Sequence, residues 1–170
     1  MKRWIHVLLV CLCFQSHAFA APFLDDTALK AAFIYRFAQF TRWPPPPLGE
    51  FHYCVAGNPA LHESLRVLTT QVQSEFPTHL HSLTEPKQAL NCQLLLIGFN
   101  DRAELIRWQT ALINEPILVI GESVEAFRNG AIIGFIPEPN GLAFRINLTE
   151  AKRRGLVLSS HMLKLAREVK

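Results

Sequence analysis

Apolar side chains follow two different periods along this chain of 170 residues. In the stretch ALKAAFIYRFAQFTRWPPPP, from Ala28 to Pro47, Leu29, Phe33, Phe37 and Phe40 recur at steps of four, four and three. That spacing gathers them on one helical face, with Ile34 near its edge and Tyr35 and Trp43 outside it. Asp25 and Asp26 stand ready to cap the start and meet the positive end of the helix dipole. Pro44 removes an amide donor and turns Trp43 away from helical geometry, so the helix is predicted to stop there. Lys30, Arg36, Gln39 and Arg42 are spread over the remaining circumference, which leaves no apolar run long enough to cross a bilayer. The Leu/Phe stripe is expected in the core, and the surplus aromatics Tyr35 and Trp43 are expected to contact a partner.

Downstream the period shortens. FHYCVAG (Phe51 to Gly57), the weaker THLHSL, CQLLLIG (Cys92 to Gly98) and PILVIG read as strands, the apolar runs being those of strands covered on both faces. Between them lie helical segments: ALHESLRVLTT after Asn58, RAELIRWQTALI capped by Asn100 or Asp101 and ending near Asn114, and a short one from Ser123 to Asn129-Gly130. Strand and helix in alternation predict a mostly parallel sheet. The last third changes rhythm. AIIGFIPE and LAFRINL flank Pro139-Asn140-Gly141, a hairpin signal. A Thr149-capped short helix, the extended GLVLS and a closing helix from Ser159 or Ser160 follow. The expected architecture is a three-layer α/β sandwich. Its mostly parallel central sheet carries helices on both faces and is extended by C-terminal antiparallel strands.

The N-terminus places this fold. Lys2 and Arg3, an apolar run from Trp4 to Phe14 and the Ala18-Phe19-Ala20 site read as a signal peptide, residues 1–20, cleaved after Ala20. The expected mature protein is one periplasmic domain, residues 21–170, with 15 basic against 14 acidic residues. Such a balance offers no footprint for nucleic acid. Of four cysteines, Cys11 and Cys13 leave with the signal. Cys54 and Cys92 remain, and in an oxidising compartment they read as one disulfide rather than two free thiols.

Catalytic chemistry finds little support. Ser159, Ser160 and His161 are neighbours in one helix and diverge, so they do not make a nucleophile and its base. No phosphate-binding glycine motif is present. No enzyme activity and no cofactor are expected. His79 and His81 share a strand face and could approach one metal, with His52, His62 or Glu63 as a third ligand. Two ligands do not make a site, so the expectation is solvated histidines on an edge strand and no metal. Arg145 and Asn147 alternate with Phe144, Ile146 and Leu148, which places the polar pair together as a candidate small-ligand contact. Lys152, Arg153 and Arg154 read as a solvated helix face.

Taken in order, LKAAFIYRFAQFTRWP, CVAGN, CQLLLIG and NGAIIGFIPEPNGLAFRINLTEAKRRGLVLSSHMLKLA resemble the YfiR family of exported bacterial proteins across nearly the whole mature chain. The resemblance implies a repressor that binds the periplasmic domain of an inner-membrane diguanylate cyclase and so controls cyclic di-GMP and biofilm formation. It also implies an outer-membrane lipoprotein that sequesters the repressor, and it leaves a homodimer open. It assigns Cys54 and Cys92 to the family's main disulfide. The second disulfide of some members has no counterpart, because no cysteine follows Cys92. The expected partner contacts are Tyr35 and Trp43, with Met162 and Leu165 on the closing helix. The alternative function is a periplasmic carrier of a small ligand or metal.

Overall fold

The computed structural model describes residues 26–139 and 141–170. The expected signal segment, Asp25 and Asn140 of the hairpin turn lie outside the described residues. The chain runs α1 (Asp26–Gln39), β1 (Thr41–Arg42), β2 (Phe51–Ala56), α2 (Pro59–Gln71), β3 (Thr78–Leu83), a 3-10 turn (Pro86–Asn91) and β4 (Leu94–Ile97). It continues through α3 (Arg102–Ala111), β5 (Leu118–Gly121), α4 (Val124–Arg128), β6 (Ile133–Glu138) and β7 (Gly141–Ile146). It closes with α5 (Leu148–Arg153), β8 (Val157–Leu158), α6 (Ser160–Leu165) and β9 (Glu168–Val169).

Seven strands form one sheet in the order β3-β2-β4-β5-β6-β7-β9, and β1 pairs with β8 in a separate two-stranded ribbon. Strands β3 through β6 are mutually parallel, and β6 and β7 form the expected antiparallel hairpin. The all-apolar strands explain the layers. Every residue of β4 and β5 is buried, so both faces of the sheet must be covered. On one face, Ile34 and Phe37 of α1 and Leu61 and Leu65 of α2 pack with Phe135, Phe144 and Met162. On the other, Leu105 and Trp108 of α3 and Ala126 of α4 pack with Cys54, Leu95 and Ile97. Side-chain oxygens start the helices. Asn58, Asp101 and Ser123 accept from the amides of Leu61, Glu104 and Ala126 at 2.9, 2.9 and 3.0 Å.

Several boundaries differ from expectation. The buried line of α1 is Ala31, Ile34, Phe37 and Ala38, so Ile34 is its centre and Phe33 and Phe40 flank it. Two alanines let the helix approach its neighbours closely, a signal that counting bulky residues overlooks. The helix also stops early, at Gln39 rather than Trp43. Thr41 Oγ1 donates to the Phe37 carbonyl at 2.7 Å, and Thr41 and Arg42 pair with Leu158 and Val157. Helix α3 ends at Ala111, short of Asn114. Helix α5 is capped by Asn147, which accepts from Glu150 N at 3.0 Å, and not by Thr149. Ser159 rather than Ser160 caps α6, accepting from Met162 N. The chain does not end in a helix, because Glu168 and Val169 add a strand parallel to β7.

Cys54 of β2 and Cys92, the residue that ends the 3-10 turn, form a disulfide across 38 residues with their Cα atoms 6.1 Å apart. It closes the loop that carries α2 and the edge strand β3. Closing a loop of this length stabilises the fold by about 4 kcal/mol. The double variant Cys54→Ser, Cys92→Ser should lose about that amount in urea unfolding. An unchanged unfolding midpoint would contradict this role.

Candidate functional site

In an open parallel sheet, ligands usually bind beyond the C-terminal ends of the strands, where the strand order reverses. Here that place falls between β2 and β4, since β2 leads through α2 to β3 on one side and β4 through α3 to β5 on the other. The crevice is filled by the protein itself. Glu122, just after β5, accepts from Asn58 Nδ2 at 2.6 Å and from Lys30 Nζ at 3.0 Å. Lys30 also pairs with Asp26 at 2.6 Å. Burial by itself would lower the Lys30 pKa, but the bonds to the two carboxylates outweigh it and hold the ammonium above its ordinary value. The glycines at this rim allow the closure. Gly57 has a φ of 82°, and a Cβ on Gly98 would stand 2.6 Å from the Asn58 Cβ and 2.8 Å from a Glu122 oxygen.

The opposite rim is open. The loop from Pro44 to Gly49, which contains a cis Pro45–Pro46 bond, runs past the N-terminal ends of β2, β4 and β5. It separates two grooves. The first, of about 650 Å³, is walled by Tyr35 and Gln39 of α1, the proline loop, and Gln73 to Phe76 of the α2–β3 connection. Phe51 and Tyr53 line it from the sheet. The second, of about 620 Å³, is lined by the other side of the loop with Glu50, His52, Cys92, Gln93 and Ile117.

Trp43 borders both grooves. Its Nε1–H donates to the Gln93 carbonyl at 3.1 Å, and its ring meets Phe51 edge-on at 5.1 Å. Phe51 in turn packs on Tyr53 at 4.6 Å. The Gln93 side chain accepts from His52 N at 2.7 Å, so one residue holds the tryptophan and the β2 backbone together. The result is a preformed aromatic groove whose indole N–H is already bonded, able to receive an apolar or aromatic side chain of another molecule.

The expected site residues disperse. Tyr35 and Trp43 come together at the first groove. Met162 does not belong to a contact surface: it is 1% exposed and packs in the core, because α6 turns that face toward the sheet. Leu165 is 59% exposed and lies outside both grooves. Asn147 is occupied as the α5 cap, and the Arg145 guanidinium lies 4.5 Å above the Phe127 ring. Arg154 is not solvated. It is buried, bonded to Glu150 at 2.8 Å and to the Leu112 carbonyl at 2.8 Å, and ties α5 to the end of α3. The His161 ring lies tilted against Phe40, with centroids 5.3 Å apart.

Phe51, Tyr53 and Phe76 were not anticipated as groove residues. The signal was present: Phe51 and Tyr53 are two apart on one strand face, directly after the proline run that must pass them.

Burial pushes the Tyr53 phenol well above its ordinary pKa, with a smaller contribution from Tyr35. The chain has two tyrosines. In a Tyr35→Phe variant, ultraviolet titration of the remaining phenol should therefore give a midpoint clearly above the usual value of about 10. An ordinary midpoint would mean that the floor of the groove is open to water.

Comparison with known proteins agrees with this architecture. A conserved domain protein from Vibrio cholerae O1 biovar El Tor superposes with a TM-score of 0.51 at 14% identity, over 85% of this chain and 60% of that one. The ABC domain from Streptococcus pneumonia, solved in complex with L-Trp, superposes with a TM-score of 0.57 at 6% identity over the same shares. At such identities the likeness concerns the fold alone, and this chain spans 60% of the length of each. No curated, functionally described protein matches the sequence. The family model described as YfiR/HmsC-like matches residues 27–167, from the first turn of α1 to the residue before β9. The chain therefore belongs to the YfiR/HmsC-like family.

Proposed function

We propose that this chain is a periplasmic regulatory protein that restrains an inner-membrane diguanylate cyclase by direct contact, with the aromatic groove around Tyr35 and Trp43 as the contact surface. Family membership supports the regulatory role. The groove supports the mode of action: its aromatics are held in place before any partner arrives, so little conformational freedom is lost on binding. Preformed pockets with aromatic walls are where a few side chains supply most of the energy of a protein interface.

Restraint of this kind is a population shift. The regulator binds the inactive arrangement of the cyclase's periplasmic domain more tightly than the active one. Moving a population from 1:99 to 99:1 takes a preference of about 5.5 kcal/mol. An outer-membrane lipoprotein that covers the same groove would release the cyclase by competition. The finer features of the reading, namely export through a cleaved signal at residues 1–20, the cyclase and the lipoprotein, rest on the N-terminal sequence pattern and the family resemblance.

The second reading, a periplasmic small-ligand carrier, is favoured by the groove's volume of about 650 Å³, which lies within the range of small-molecule sites.

Cellular cyclic di-GMP discriminates between these readings. Deleting the gene should raise it, and a wild-type copy should restore the lower level. A Tyr35→Ala copy of equal abundance should restore it only in part, as loss of a hot-spot side chain costs about 2 kcal/mol, or roughly 30-fold in affinity. Leu165→Ala, outside the groove, should behave as wild type. No rise on deletion would sink the repressor reading, and full repression by Tyr35→Ala would move the contact away from the groove.

A further inference from the structure

The residues of β2 point alternately to the two faces of the sheet. Phe51 and Tyr53 line the first groove, while His52 and Cys54 face the opposite side. On that side the register pairs His52 with His79 and Cys54 with His81, which brings three imidazoles of two neighbouring strands onto one face at the sheet's edge. Their rings stack, His52 on His79 at 4.9 Å and His52 on His81 at 5.1 Å between centroids. Glu50 reaches back from the end of the proline loop. Its carboxylate lies 3.0 Å from His52 Nε2 and 3.3 Å from His79 Nε2. Of the ligands foreseen for His79 and His81, His52 joins and Glu63 does not, being paired with Arg66. Glu50 was not foreseen.

We propose that Glu50, His52 and His79 form a binding site for a divalent transition-metal ion, Zn²⁺ being the best match. The three ligand atoms lie within 4.8 Å of one another, and two imidazole nitrogens with one carboxylate oxygen make a borderline-soft donor set of the kind zinc takes. His81 completes the arrangement from outside. Its Nε2 lies 2.9 Å from His52 Nδ1, on the far side of the ring from Glu50. A zinc ion on His52 Nε2 leaves the proton on Nδ1, which then donates to His81 Nε2. This is the outer hydrogen bond that metal-bound histidines require to fix tautomer and ring orientation.

Glu50 directly follows the loop that separates the two grooves, so a bound ion ties that loop to the sheet edge whatever the groove receives.

The test is calorimetric titration of the EDTA-treated protein with ZnCl₂. The expected result is saturable binding of a single ion per chain, with Co²⁺ in its place giving the intense visible absorption of a tetrahedral site. Glu50→Gln and His79→Ala replace exposed side chains, so their far-ultraviolet circular dichroism should match wild type while binding is lost. His81→Phe should keep the ion but weaken it about 10- to 100-fold, as removal of an outer partner does. Absence of saturable zinc binding would overturn the proposal, and so would binding that Glu50→Gln and His79→Ala leave unchanged.

Discussion

One carboxylate decides which end of this sheet is available for function. Glu122 receives both Lys30 from the first helix and Asn58 from the start of α2, at the point where a parallel sheet of this order normally opens a binding crevice. The Asn58 side chain caps α2 with one atom and holds Glu122 with the other. Helix start, strand end and first helix are thereby locked together. With that end closed by its own polar groups, the open concave surface lies at the N-terminal rim, where the proline loop keeps two grooves apart.

The rim owes its order to a few side chains with two tasks each. Gln93 accepts the Trp43 indole on its carbonyl and the His52 amide on its side chain. Cys92, one residue earlier, carries the disulfide to Cys54. Strand β2 therefore serves both faces at once: its odd positions build an aromatic groove and its even positions carry the histidine cluster and the disulfide. This division follows from the period of two along a strand, and a one-residue slip in register would exchange the two faces.

The layered α/β fold was legible in the sequence because its strands are short apolar runs between amphipathic helices. Of the expected caps, Ser123 and, of the pair Asn100 and Asp101, Asp101 start their helices. What escaped was set by contacts between distant segments. Helix α1 stops at Gln39 because Thr41 and Arg42 find a partner in β8, more than a hundred residues away. Asn147 rather than Thr149 caps α5, and Met162 is core rather than surface, because the final elements fold back on the sheet. Tyr35 and Trp43 were recognisable as surplus to the helix stripe. Their groove partners Phe51, Tyr53 and Phe76 come from strand β2 and the α2–β3 connection, which only the tertiary fold brings beside α1.

The proposed partner contact lies at the proline-loop rim and not at the Glu122 rim. A photo-crosslinking amino acid placed in living cells at Phe76, on the groove, and separately at Asn100, after β4 on the closed rim, tests it directly. A crosslink to an inner-membrane cyclase is expected from position 76 and none from position 100. A crosslink from position 100 alone would contradict it.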